Sequence, residues 1–201
     1  MTDFSGYFDT GGAQHQGEMV VTVGVIATVS EWEAFDARWL AVLSKYEISA
    51  FHMVEIAGWS KRSDISKWPL VDGLRDEGRR DKFLAEVVGA AIGINQAVLR
   101  AVALRDYNAA NQRYQLTEKI GGAYTLAQAQ CLLHCERWLL ERKGPSREHG
   151  WGAIVEQGDS GQKQFRRFCR EQLVYMPRFV NKKDANGEDI TPLALADLIS
   201  V

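Results

Sequence analysis

Little in this sequence can staple a fold together. Its 201 residues hold three cysteines, Cys131, Cys135 and Cys169. The number is odd, and the opening residues are polar and acidic rather than a hydrophobic leader. Both facts argue against a secreted disulfide scaffold and for reduced thiols in a cytoplasmic protein. No apolar run is long enough to span a bilayer, so no membrane helix is expected. An excess of one charge sign is also lacking: 24 Lys and Arg face 26 Asp and Glu, for a net charge of -2. This balance neither favours nor excludes nucleic acid, which would need the cations gathered on one face. Repeats, low-complexity tracts and linker-like stretches are missing too, so residues 1–201 read as one domain. What is present is ordinary for a folded protein, with 46% hydrophobic and 25% charged residues. A chain this long buries most of its apolar surface without disulfides or metals.

The hydrophobic pattern places the elements. Phe4 to Asp9 alternates as a strand, and Thr10-Gly11-Gly12 then turns the chain. Glu18 to Thr28 is nearly all apolar and reads as a central strand. Ser30-Glu31-Trp32-Glu33 has the form of a capping box, opening a helix to about Tyr46 with Trp32, Phe35, Trp39, Val42 and Leu43 on one face. A short extended piece, Ile48 to Met53, and an irregular stretch from about Ala57 to Asp72 follow, and Asp72 is the candidate cap of a helix that carries Phe83, Leu84, Val87, Val88 and Ala91. Ile94 to Leu104 reads as a strand, and a long helix is expected from about Thr117 to Arg142, broken at Gly144-Pro145-Ser146. Trp151 to Glu156 reads as a buried strand, and Ser160 as the cap of a helix with Phe165, Phe168, Cys169 and Leu173 inward. Arg178 to Asn181 is a short last strand, and Thr191-Pro192 starts a closing helix. The order predicts an α/β fold, one mixed sheet with helices on both faces.

Three acids stand out by position. Asp9 closes the first strand, and Glu156 closes a later one just before Gln157-Gly158-Asp159. Strand ends are where sites collect in α/β sheets. Asp197 lies in an otherwise apolar helix, where a bare carboxylate is costly unless a cation or hydrogen-bond donors meet it. Each has a plain alternative: a turn-stabilising Asp9, a solvated Glu156, an Asp197 salt-bridged to an Arg. Brought together, the three make a hard-oxygen set of the kind that suits Mg²⁺. Two such ions activate water and stabilise the leaving oxygen in phosphodiester cleavage.

Four segments, Tyr7 to Gly12, Phe51 to Met53, Ile154 to Asp159 and Pro192 to Ile199, in order and across most of the chain, together resemble the domain of unknown function 3800 family. Tyr7-Phe8-Asp9-Thr10-Gly11-Gly12 is similar to that family's opening strand, which usually reads Asp-Glu-Ser-Gly. Phe51-His52-Met53 is similar to its short His-containing motif, and Ile154-Val155-Glu156-Gln157-Gly158-Asp159 to its later acidic strand end. Pro192-Leu193-Ala194-Leu195-Ala196-Asp197-Leu198-Ile199 is similar to its closing Pro-Leu-Gln-x-Ala-Asp-Leu helix, the most specific of the four. The resemblance implies a ribonuclease H-like fold with a mixed five-stranded sheet. It also implies a metal-dependent nuclease or related phosphodiester hydrolase, with Mg²⁺ or Mn²⁺ on Asp9, Glu156 and Asp197, assisted by His52 and Asp159. Thr10 stands where the family usually has Glu, Gly11 where it has Ser and Ala194 where it has Gln, and the closing helix stops early at Val201. Lost supporting groups weaken a metal site. These departures imply the alternative, a catalytically degenerate relative that binds protein or nucleic acid.

Other signals compete. Asp9-Thr10-Gly11 has the letters of an aspartic-protease motif but has no second copy, and that chemistry needs two aspartates. Gly158-Asp159-Ser160-Gly161 has those of a serine-protease loop without the rest of a triad. Cys131, His134 and Cys135 offer zinc ligands, although the two cysteines also continue an apolar helical stripe. The stretch Lys163 to Lys183, with Arg166, Arg167, Arg170, Arg178 and Lys182, is either a track for a phosphate backbone or a solvated helix face. Trp59 and Trp68 lie in the irregular region, positioned to stack on bases or to pin a loop.

Overall fold

The computed structural model describes residues 4–11, 18–49, 51, 53, 56, 74, 76–94, 96–143, 151–158, 161–173, 176–183 and 189–200. Five strands form one mixed sheet: β1 (Phe4–Gly11), β2 (Met19–Thr28), β3 (Gln96–Ala103), β4 (Trp151–Glu156) and β5 (Arg178–Val180), in the order β3-β2-β1-β4-β5. β1 pairs antiparallel with β2, and β2 with β3. β1 pairs parallel with β4, and β4 with β5. The expected α/β sheet is therefore present.

Helices cover both faces. α1 (Val29–Lys45), α2 (Glu77–Ala90) and the closing α7 (Thr191–Ser200) lie on one side. There Val23 and Val25 of β2 meet Trp32, Phe35, Trp39, Phe83 and Leu195. On the other side are α3 (Leu104–Tyr114), α4 (Leu116–Ile120), α5 (Ala123–Lys143) and α6 (Gln162–Gln172). Their core joins Phe8 of β1 and Val155 of β4 to Cys131, Cys135, Phe165 and Cys169. Alternation along β1 thus sends even residues to α5 and odd residues to α7.

Several boundaries differ from expectation for identifiable reasons. β1 runs on through Thr10 and Gly11, because both pair with β2 (Thr10↔Thr22, Gly11↔Val21). Asp9 is accordingly inside the strand rather than at its end. The first capping box is Thr28–Glu31, not Ser30–Glu33. The Glu31 amide donates to the Thr28 hydroxyl, and the Thr28 amide donates to Glu31 Oε2 at 2.7 Å. Both tetrapeptides fit the pattern, and the earlier one follows directly on β2. The expected helix from Thr117 to Arg142 is split, since Gly121 takes φ 92° and parts α4 from α5. α3 was not foreseen; it leaves β3 without a loop. Asp76 caps α2, accepting from the Arg79 amide at 2.7 Å, while Asp72 lies outside the described residues.

Gly24 is required by packing. It faces Phe8 across β1 and β2. A Cβ there would come within 2.5 Å of the Phe8 ring and 3.1 Å of Cys131 Sγ. The cysteines are core residues. Burial pushes the Cys169 thiol up to about 12, and a hydrogen bond with Cys131, aided by burial, holds Cys135 far above the usual thiol range. His134 is exposed beside Arg100, off the cysteine face, so the three offer no zinc site. Among the described residues no helix is long and apolar enough to cross a membrane.

Candidate functional site

The three acids converge. Phe8 and Val155 are partners in the parallel pair β1–β4 and both face α5. The next residues, Asp9 and Glu156, therefore emerge side by side on the α7 face, where they hydrogen-bond. Glu156 is in turn the partner of Val180 on β5. Two residues past Val180, strand alternation returns Lys182 to the same face. Its carbonyl accepts from the Ile190 amide at 2.8 Å, and Lys183 bridges to Asp189, which ties this segment to the start of α7. α7 packs on β1 and β2 through Leu193, Ala194, Leu195 and Ala196, all buried, and delivers Asp197 to the cluster.

Lys182 is the centre of the arrangement. Its Nζ lies 3.2 Å from Asp197 Oδ2 and 3.7 Å from Glu156 Oε2, and it acts electrostatically on Asp9. The Lys182, Glu156 and Asp197 side chains are 20%, 21% and 13% exposed, so their mutual field is only partly screened. Asp9 is 7% exposed, and its Oδ1 accepts from the Thr10 amide at 2.8 Å. Asp197 Oδ2 also accepts from the Met53 amide at 3.1 Å.

The charges are uneven. Burial holds the Asp9 carboxyl above the usual carboxylate range. Lys182 opposes this, the Asp197 charge adds to it, and the bonds from Glu156 and Thr10 do not offset it. Burial also works against the Lys182 charge, but Asp197, Glu156 and Asp9 together outweigh it and hold the ammonium above the usual lysine range. The cluster thus carries one resident cation. Among the described residues, no three His, Cys, Asp or Glu side chains stand ready as a metal ligand set.

Asp9, Glu156 and Asp197 are brought together as expected from sequence, while His52 and Asp159 lie outside the described residues, as do Ser160, Trp59 and Trp68. Thr10 faces the other side of the sheet. Its hydroxyl meets Thr22 Oγ1 at 3.0 Å and accepts from Gln128 Nε2 at 2.5 Å. An acid in its place would point away from Asp9, so Thr10 is not a vacated ligand position on the α7 face. Ala194 is 2% exposed within the apolar core, where Gln would bury an amide.

The basic stretch does not act as one surface. Lys182 turns into the acid cluster, Arg166 lies over the Phe179 ring at 3.8 Å, and Arg167 pairs with Glu171 at 2.8 Å. Lys163, Arg170, Arg178 and Lys183 remain exposed. Sequence reasoning missed Lys182 because it counted the residue within that run. The signal that points to it is Asp197, whose position in an apolar helix calls for a cation or hydrogen-bond donors.

No family model matches the chain, and no curated protein does. Among solved structures, the chain is similar to Bst-RNase HIII in complex with Mn²⁺, at 13% identity and a TM-score of 0.45, over 99% of this chain and 51% of that one. A mutant of the same enzyme gives 12% and 0.44. The ribonuclease H2 from Pyrococcus horikoshii OT3 gives 13% and 0.41, over 98% of this chain and 70% of that one. The chain spans about half the length of the ribonuclease HIII chains it matches. The likeness is one of fold.

Proposed function

We propose that Asp9, Glu156 and Asp197 form the active centre of a ribonuclease H-like, divalent-metal-dependent phosphodiester hydrolase of the kind the domain of unknown function 3800 resemblance implies. The observation that carries this reading is the meeting of three carboxylates from β1, β4 and α7 around one positive charge. In donor type the set suits Mg²⁺ or Mn²⁺, being all oxygen and already holding a cation, but as it stands it is closed around the Lys182 ammonium rather than arranged for an ion. An ion held by Asp9, Glu156 and Asp197 would supply a water of lowered pKa and polarisation of a phosphoryl oxygen.

The chain's own residues prepare this. The Thr10 and Met53 amides fix one oxygen each of Asp9 and Asp197. Asp9 and Glu156 are held in register by the parallel strand pair. Metal binding needs ionised ligands, so the raised Asp9 makes uptake favour higher pH, with a proton released. The exposed Lys163, Arg170, Arg178 and Lys183 are candidate contacts for a nucleic-acid backbone.

Calorimetric titration with Mn²⁺ tests the site. Heat in the wild type that vanishes in Asp9→Asn and Asp197→Asn supports it, and equal heats in all three refute it. One observation favours a second reading, a degenerate binding module: Lys182 already neutralises part of the cluster. Labelled single-stranded, duplex and hybrid nucleic acids incubated with Mn²⁺ separate the two. Cleavage that is lost in Asp9→Asn supports the hydrolase, and binding without cleavage supports the module.

A further inference from the structure

Lys182 occupies the place of a counter-ion in the cluster, which raises the question of what a metal ion would have to do to enter. Its ammonium engages Asp197 Oδ2 at 3.2 Å and Glu156 Oε2 at 3.7 Å, two of the oxygens a metal would need. It is no loose surface lysine reaching in. Its backbone is fixed by the Ile190 amide on one side and follows β5 on the other. The side chain is 20% exposed, and the Asp197 oxygen it meets is also held by the Met53 amide.

We infer that Lys182 is a tethered cation that competes with divalent metal for Asp9, Glu156 and Asp197, and so sets the metal concentration at which the centre fills. The inference rests on the metal-centre reading above. The physical reasoning is mutual exclusion. An ammonium and a divalent ion repel each other, and carboxylate lone pairs spent on one are not available to the other. Lys182 therefore stabilises the metal-free fold and weakens metal binding together. The ammonium is tethered to the chain and acts on metal affinity as a bound effector does, and an effector typically changes a ligand's affinity by about 5–150-fold.

The test measures Mn²⁺ binding by calorimetry, and thermal unfolding with and without Mn²⁺, in wild type, Lys182→Met and Lys182→Arg. Met keeps an unbranched apolar stem without the charge, and Arg keeps the charge. Lys182→Met is expected to bind Mn²⁺ about 10–100-fold more tightly than wild type. Its metal-free melting temperature falls, and Mn²⁺ restores it. Lys182→Arg stays close to wild type in both. If Lys182→Met does not fold without metal, Lys182→Gln, which keeps a donor for Asp197, gives the same comparison. Equal or weaker Mn²⁺ binding in the uncharged variants than in wild type overturns the inference while leaving the metal centre standing. No Mn²⁺ binding in any of the chains overturns both.

Discussion

Replacing Thr10 with valine removes a single hydroxyl from the face of β1 opposite Asp9. That hydroxyl lies 3.0 Å from Thr22 Oγ1 and accepts from Gln128 Nε2 at 2.5 Å. Thr22 and Gln128 are 0% and 1% exposed, so water cannot replace what they lose. A buried hydroxyl stripped of its partner costs about 1–3 kcal/mol. Gln128 Nε2 keeps the Tyr124 hydroxyl at 3.2 Å, so its loss adds only about 0.5–1 kcal/mol. The expected destabilisation is about 1.5–4 kcal/mol, read as a lower urea midpoint at unchanged slope. Adding Thr22→Val removes the stranded hydroxyl as well, and the double variant should recover part of the loss, because replacing both partners is far milder than replacing one. Mn²⁺ binding should not move, since the valine points away from Asp9. A loss below about 0.5 kcal/mol, the range of an ordinary surface substitution, would refute the buried-network reading. A large change in Mn²⁺ affinity would instead show that position 10 serves the metal side after all.

The Asp9 carboxyl, raised by burial, holds its proton to higher pH in the folded chain than in the unfolded one. Its contribution therefore favours the fold below the ordinary Asp value of about 3.9, and is lost as pH rises through the folded value. Asp9→Asn stays neutral throughout, so it should melt above wild type at pH 7, with the gap closing toward pH 4. A variant less stable than wild type at pH 7 would mean that the attraction to Lys182 exceeds the burial penalty. Gly24→Ala forces a methyl against the Phe8 ring and should destabilise by about 1–3 kcal/mol as overpacking, despite the usual gain from replacing glycine in a strand. Phe8→Leu in the same chain should relieve part of that loss, and strict additivity of the two in denaturant melts would disprove the contact.

The parts of the fold that follow from periodicity were legible in the sequence. β4 spans Trp151–Glu156 as the run of apolar residues indicates, and the face of α1 carrying Trp32, Phe35, Trp39 and Leu43 is buried. The parts that depend on pairing partners were not. Nothing local says that Thr10 and Gly11 stay in the strand, because the residues that hold them there, Thr22 and Val21, lie across the hairpin. Nor does the spacing from Leu104 to Lys143 reveal three helices, since the break comes from the backbone conformation at Gly121 and Gln115. In the site, the acids were legible as sequence anomalies: Glu156 at a strand end, Asp9 before a Thr-Gly pair that the structure draws into β1, and Asp197 in an apolar helix. Lys182 was not, since the register of β5 against Glu156, rather than composition, turns it inward.

That register fixes how the centre behaves. Asp9, Glu156 and Asp197 are placed by two neighbouring strands and a helix packed on them, so they cannot easily move apart to relieve their mutual repulsion. A partly buried group of carboxylates left without a cation is strongly destabilising; losing one member of a buried ion pair costs about 3–5 kcal/mol. The fold therefore needs positive charge at this point whether or not any chemistry occurs there. Lys182 supplies it from within the chain, with no metal ion required. On the proposed metal-centre reading, an ion would take over that role only where its gain over the ammonium exceeds what Lys182 already contributes. On that reading stability without metal and affinity for metal are opposed through one side chain, and a substitution at position 182 should shift them in opposite directions.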